Sequence, residues 1–195
     1  MTAISPLESI HKKGLFGNHH KKDENVLLNI KEIKNLFIVH IFQYKNSKID
    51  LKNITIDGLQ LSSETSKVLS NNDTRILWTG PNTYLVTSKK ENIINIINDK
   101  CDSENFAITD ISHSRAVIQL SGVHSKEVLK KGCPINFNEF QKNNSAGSVF
   151  HGIAIVIDFV DEDSQTFNLF TRRSFGQSLY HHITDASLEF GYIGI

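Results

Sequence analysis

The stretch FAITDISHSRAVIQLSGVHSKEVLKKGCPINF, residues 106–137, reads as one long strand, a turn at Ser121 and Gly122, a short helix, and a hard stop at Gly132, Cys133 and Pro134. Ile108, Ile111, Val117, Ile118 and Leu120 are the apolar side chains of that strand. They frame a polar patch at residues 110–115 that local preference does not explain, since Asp is depleted from strands and Ser favours turns. Gly132 stands where helices commonly end, and Pro134 cannot continue one.

Outward from this stretch, residues 36–44 (LFIVHIFQY) form an apolar run of strand length. Such a run suggests a strand covered on both faces, with His40 a hydrogen-bonded core histidine. Residues 49–61 alternate weakly, as a further strand would, and residues 62–73 are polar, a loop or short helix. Residues 75–87 are a hairpin turning at Gly80, Pro81 and Asn82, because proline fixes φ and asparagine tolerates the left-handed region. Ser88 and Glu91 are spaced as a capping box opening a helix with Ile93, Ile94, Ile96 and Ile97 on one face. Residues 136–148 read as a polar loop, 149–160 as a strand with Ile153, Ile155 and Ile157 alternating against Ala154, Val156 and Asp158, and 167–170 as another. Phe175, Leu179, Ile183, Ala186 and Phe190 fall on one stripe of a last helix, with Ser174 and Gln177 as reciprocal caps and Gly191 past its end.

Helices in this order do not alternate strictly with strands, which predicts α+β rather than a doubly wound α/β sheet. Residues 1–25 read as an irregular arm with Ile4, Leu7, Ile10, Leu15 and Phe16 to bury. Residues 26–195 read as a single α+β domain with lobes of about 26–104 and 105–195.

A chain of 195 residues, 39% of them hydrophobic, can bury one sizeable core or two small lobes sharing one. Its 21 basic residues balance its 21 acidic ones. That balance argues against nucleic acid, which needs a basic excess, and favours self-association of isolated copies. No run approaches the roughly 18 apolar residues of a membrane span. The N-terminus lacks the apolar core of a secretory signal, and Cys101 and Cys133 form no C-x-x-C; both fit a reducing, cytoplasmic home.

Asp110, Ser112 and His113 invite a hydrolase triad, but on a strand Asp110 and Ser112 point one way and His113 the other. No G-x-S-x-G, Walker A, G-x-G-x-x-G or H-E-x-x-H motif occurs. His11, His19 and His20 invite a metal site, as in a histidine-rich carrier. No acidic or cysteine ligand has matching spacing, and Lys12, Lys13, Lys21 and Lys22 would repel a cation. His113 and Arg115 share a strand face and make a donor-rich spot for a carboxylate or phosphate, or else an internal pair bonded to an acidic side chain. Arg172 and Arg173 precede a helix N-terminus, where cations are unfavourable; they are a solvated strand end or a contact for an anion or acidic partner. Trp78, the only tryptophan, anchors the hairpin or an interface.

Three segments carry a resemblance: TDISHSRAVIQLSG with the later KGCPINF, LWTGPNTYLV at residues 77–86, and FNLFTRRSFGQSLYHHI at residues 167–183. Together, and in the family's order along the chain, they resemble the gamma subunit family of heterotetrameric sarcosine oxidase. They cover most of the chain from Arg75 onward; the first 70 or so residues match only loosely. That family is similar to the folate-binding domain of the glycine-cleavage T protein. The resemblance implies two intertwined β-α-β lobes and a non-catalytic assembly role beside alpha, beta and delta chains. It further implies that FAD, FMN, NAD, tetrahydrofolate and zinc lie on those other chains and that none is expected on this one. The complex would oxidise sarcosine to glycine and pass the one-carbon unit to tetrahydrofolate. Two alternatives stand beside it: a free-standing folate-dependent aminomethyltransferase-like protein, for which Asp158 is the nearest pocket acid, and the equivalent subunit of a related N-methyl amino acid oxidase or dehydrogenase.

Overall fold

A computed structural model describes residues 5–20 and 22–195, so the expected roles of Ile4 and Lys21 lie outside the described residues. The strands before the first helix are β1 (Gly14–Phe16), β2 (Leu28–Glu32), β3 (Phe37–Gln43), β4 (Thr55–Ile56), β5 (Leu59–Gln60), β6 (Val68–Ser70), β7 (Thr74–Gly80) and β8 (Thr83–Ser88). Then come α1 (Ile93–Asn98), β9 (Phe106–Asp110), β10 (Arg115–Ser121), α2 (Ser125–Lys130), β11 (Ser145–Phe150), β12 (Ile153–Asp161), β13 (Thr166–Arg172), α3 (Gly176–Ser187) and β14 (Tyr192–Gly194). The fold is α+β, dominated by sheet.

The polar patch at residues 110–115 splits the expected long strand in two. The Asp110 carboxylate accepts from the Ser112 backbone N–H at 2.9 Å and from its hydroxyl at 2.6 Å. This local turn competes with strand pairing, and Ser112–Ser114 forms one 3-10 turn between β9 and β10. The two strands then join different sheets.

Two compact units result, and the chain visits them alternately. One takes in the chain through Lys34, His113–Lys142 and Gly147–Ile195. Its seven-stranded sheet has the order β1-β14-β2-β10-β13-β12-β11. β14 runs parallel to β2, while β10 is antiparallel to both β2 and β13. Ile118, Leu120, Ile157, Phe159, Phe167, Leu169, Leu179 and Ile183 are all fully buried in it. Gly122 sits at φ 119 after β10, and a Cβ there would stand 2.9 Å from the Leu27 carbonyl, so glycine is required at this turn.

The other unit comprises Asn35–Ser112 and Asn143–Ala146. Its five-stranded sheet has the order β6-β7-β8-β3-β9 and is antiparallel throughout. β3 is interior to this sheet, which is why residues 36–44 carry apolar side chains on both faces. Val39, Ile41, Ile76, Tyr84, Val86, Ile93, Ile97 and Phe106 form the core. The hairpin of β7 and β8 turns with Asn82 at φ 57, in the left-handed region expected for it.

Several expectations need correction. The arm at residues 1–25 is not wholly irregular: β1 pairs with β14, Phe16 stacks on Tyr192 at 5.1 Å, and Leu7 is fully buried. The dividing points also differ from 104/105, since β2 belongs with the second half of the chain and Asn143–Ala146 with the first. Residues 49–61 form a 3-10 turn at Leu51–Asn53 and the short β4–β5 ribbon. Residues 68–70, read as loop or short helix, and 145–148, read as polar loop, are strand, and their pairing comes from neighbours rather than from their own pattern. Ser88 ends β8 and bonds the Thr74 hydroxyl at 2.9 Å; α1 starts later, with Asn92 at its N-cap.

Candidate functional site

β13 and β10 are paired in a register that sets Arg172 opposite Arg115. After Arg172 the chain makes a single 3-10 turn, Arg173–Phe175, and enters α3. A Cβ on Gly176 would lie 2.8 Å from the Ala116 Cβ and 3.5 Å from Pro6, so glycine is what lets the start of α3 press against β10. The effect is to gather Ser114, Arg115, Arg172, Arg173, Ser174 and Gln177, with Pro6, around one open depression of about 810 Å³.

Arg115 and Arg172 meet here as like charges. The Arg115 guanidinium is half-buried, and its pKa is pushed below the ordinary arginine value, first by burial and then by the charge of Arg172. Among the described residues, no acidic side chain pairs with Arg115 or Arg172. Nor does α3 offset the charge. Its first turn has no acidic residue, the Phe175 N-cap position makes no side-chain cap bond, and the Gly176 N–H is taken by the Arg173 carbonyl. Ser174, expected as the cap, lies inside the 3-10 turn, and Gln177 instead donates to the Ser9 hydroxyl at 3.1 Å. Helix N–H groups beside arginine side chains make an anion-binding geometry.

His113 is not part of this cluster. It lies exposed in the 3-10 turn, so the strand alternation that would set it beside Arg115 does not apply. Trp78 belongs to the other unit, half-buried opposite Tyr84, with its carbonyl accepting from the Ser145 hydroxyl at 2.7 Å; it anchors the hairpin. The Ser112 hydroxyl donates to Asp110, and its oxygen accepts from the Ile38 N–H at 2.8 Å, which ties β9 to β3 and leaves no triad. The imidazole of His11 bridges the Tyr180 hydroxyl at 3.0 Å and the Ile195 carbonyl at 2.7 Å, a structural clasp. Among the described residues no group of three or more His, Cys, Asp or Glu side chains could hold a metal ion. Asp158 is fully buried in β12 opposite Asn168, whose side-chain oxygen accepts from Gln119 at 2.8 Å. It lines no part of the arginine depression.

Two features of the cluster escape sequence reasoning. The register that opposes Arg115 to Arg172 joins residues far apart in the chain. Phe175, expected in the buried stripe of α3, is 46% exposed beside the arginines. The polar run Arg172, Arg173, Ser174 directly before it was the available signal.

Residues 53–189 match the model of the family described as "Sarcosine oxidase, gamma subunit family". The sarcosine oxidase subunit gamma of Corynebacterium sp. (strain U-96) is 28% identical over 120 residues, 60% of this chain and 58% of that protein. The subunit of the same name from Arthrobacter sp is 26% identical over 120 residues, with the same coverage of 60% and 58%. The match thus spans under two thirds of the length of these curated relatives. Among solved structures, the heterotetrameric sarcosine oxidase from Corynebacterium sp. U-96, in complex with pyrrole 2-carboxylate, contains a chain similar at TM-score 0.82 and 21% identity. That likeness covers 96% of this chain and 95% of that one. The glycine cleavage system aminomethyltransferase T from Bartonella henselae is similar at TM-score 0.62 and 12% identity, over 88% of this chain and 49% of that one. At these identities the two structures establish the fold.

Proposed function

The chain belongs to the sarcosine oxidase gamma subunit family, and from that premise we propose that it is a non-catalytic assembly subunit of a heterotetrameric sarcosine oxidase. The observation that carries this reading is the family match over residues 53–189. In this reading alpha, beta and delta subunits are its partners, and the complex works in the cytoplasm. It oxidises sarcosine to glycine and passes the one-carbon unit to tetrahydrofolate. FAD, FMN, NAD, tetrahydrofolate and zinc are held by the other subunits. What this chain supplies is surface: Arg115, Arg172 and Arg173 on one unit, with His113 and Trp78 as further contacts. Among the described residues no helix is long and apolar enough to cross a membrane.

A free-standing aminomethyltransferase is the weaker reading. The likeness to aminomethyltransferase T covers 49% of that enzyme. The acid expected in a folate pocket, Asp158, is sealed inside the sheet. An equivalent subunit for another N-methylated amino acid is separated by assaying the assembled complex on both substrates.

The test is the isolated chain. It is expected to show neither flavin absorbance near roughly 450 nm nor sarcosine turnover, because the cofactor chemistry belongs to other subunits. A stoichiometric flavin in the purified chain, or turnover by the chain alone, would overturn the assembly reading.

A further inference from the structure

Three unfavourable features coincide at the β10–β13 end. Like charges directly opposite across an antiparallel pair destabilise it, and Arg115 opposes Arg172. Arg115 is half-buried, so solvent screens it incompletely. The start of α3 adds the positive end of a helix dipole without an acidic residue in its first turn. A single anion set between the two guanidinium groups relieves all three at once.

We propose that Arg115, Arg172 and Arg173, with the exposed Phe175, form the docking point for an acidic segment of a partner subunit, one Asp or Glu carboxylate lying between Arg115 and Arg172. This deepens the assembly reading above and rests on it. The planar fork of arginine matches a carboxylate bidentately. The depression is open, walled on one side by Pro6, and Phe175 is 46% exposed next to Ser174 at its rim. A lone phosphate leaves that aromatic in water, whereas a peptide segment covers it. Arginine beside an exposed aromatic is the composition of interface hot spots. Nucleic acid is a poor occupant, because 21 basic and 21 acidic residues leave no net basic field.

The experiment is a competition. Wild-type chain and one variant, distinguishable by mass, are co-expressed with tagged alpha, beta and delta subunits, and their ratio in the purified complex is read by mass spectrometry. Arg172→Gln is expected to be depleted at least about 30-fold, as for loss of one member of a buried interfacial charge pair. Arg172→Lys, which keeps the charge without the fork, is expected between the two, and Phe175→Ala is expected to be depleted as well. Ser178→Ala, exposed on α3 outside the depression, is expected to incorporate as wild type does. Melting of each isolated variant accompanies the ratio. Equal incorporation of Arg172→Gln overturns the proposal. So does depletion matched by a lowered melting temperature of the isolated variant, which would make Arg172 a structural residue. Stabilisation of the isolated wild type by inorganic phosphate, lost in Arg172→Gln while incorporation stays equal, also overturns it in favour of a small-anion site. Failure of the wild-type chain itself to enter the complex falls on the assembly reading, and on this proposal with it.

Discussion

Arg115 and Arg172 stand directly opposite each other at one end of the β10–β13 pair, in a register that runs unbroken to Leu120 opposite Phe167. The buried apolar rows along that pair hold the two cations together. Ala116, Val117, Ile118 and Leu120 are buried on β10, and Phe167, Leu169 and Phe170 on β13. Their combined burial outweighs a repulsion worth about 0.2–1 kcal/mol.

It follows that Arg172→Gln should stabilise the isolated chain, by about 0.2–1 kcal/mol in a denaturant melt. The measurement is made without partner subunits. A loss of stability would mean that Arg172 has a compensating partner within the chain.

The last helix allows a paired test. Leu179 is fully buried at the centre of α3, and Leu179→Ala should cost roughly 2–5 kcal/mol. Phe175, at the N-cap of the same helix, is 46% exposed, and Phe175→Ala should change stability by no more than about 0.5 kcal/mol. Equal costs for the two would contradict the placement of Phe175 on the surface.

The two thiols should be inert. Cys101 and Cys133 are free and buried, and burial pushes their thiols up to about 11 and about 12. At pH near 8 a thiol reagent should label neither in the folded chain and both in denaturant. The raised values also set a sign. The contribution to stability is full below the ordinary thiol value of 9.0 and is lost as pH rises through about 11 and 12. Melting temperatures on a rising alkaline series should therefore fall, and less so for Cys133→Ala relative to its own neutral value.

The turn between β12 and β13 carries the opposite sign. The Asp161 carboxylate accepts from the Ser164 hydroxyl at 2.6 Å, its backbone N–H at 3.1 Å and Lys142 at 3.0 Å, which hold its pKa down at about 2. Its stabilisation is present above the ordinary carboxylate value of 3.8 and is lost as pH falls through about 2. The melting difference between wild type and Asp161→Asn should therefore shrink across that window. A difference constant with pH would show that the carboxylate charge is not what holds the turn.

Much of this fold was legible from local chemistry. The β7–β8 hairpin announced itself through Pro81 and Asn82, and α3 through the spacing of Leu179, Ile183 and Ala186. The polar patch at residues 110–115 was legible as an anomaly, and Asp110 proved to be the residue that ends β9. What local reading missed depends on partners remote in sequence. β1 has three residues and pairs with a strand at the other end of the chain, and β11 is an edge strand whose residues 145–148 carry no periodic apolar pattern. The candidate site divided in the same way. Arg172 and Arg173 stood out because cations precede a helix start. Their meeting with Arg115 is a matter of register, and His113 dropped out because a 3-10 turn at Ser112–Ser114 replaced the strand there.

Co-expression with alpha, beta and delta subunits, with the purification tag on this chain, decides whether it is an assembly subunit of a sarcosine-oxidising heterotetramer. All four chains should be recovered in equal numbers, with sarcosine-dependent oxygen consumption by the recovered complex and none by this chain alone. Recovery of this chain without the other three, while those three assemble and turn over sarcosine unaided, would contradict the assembly reading.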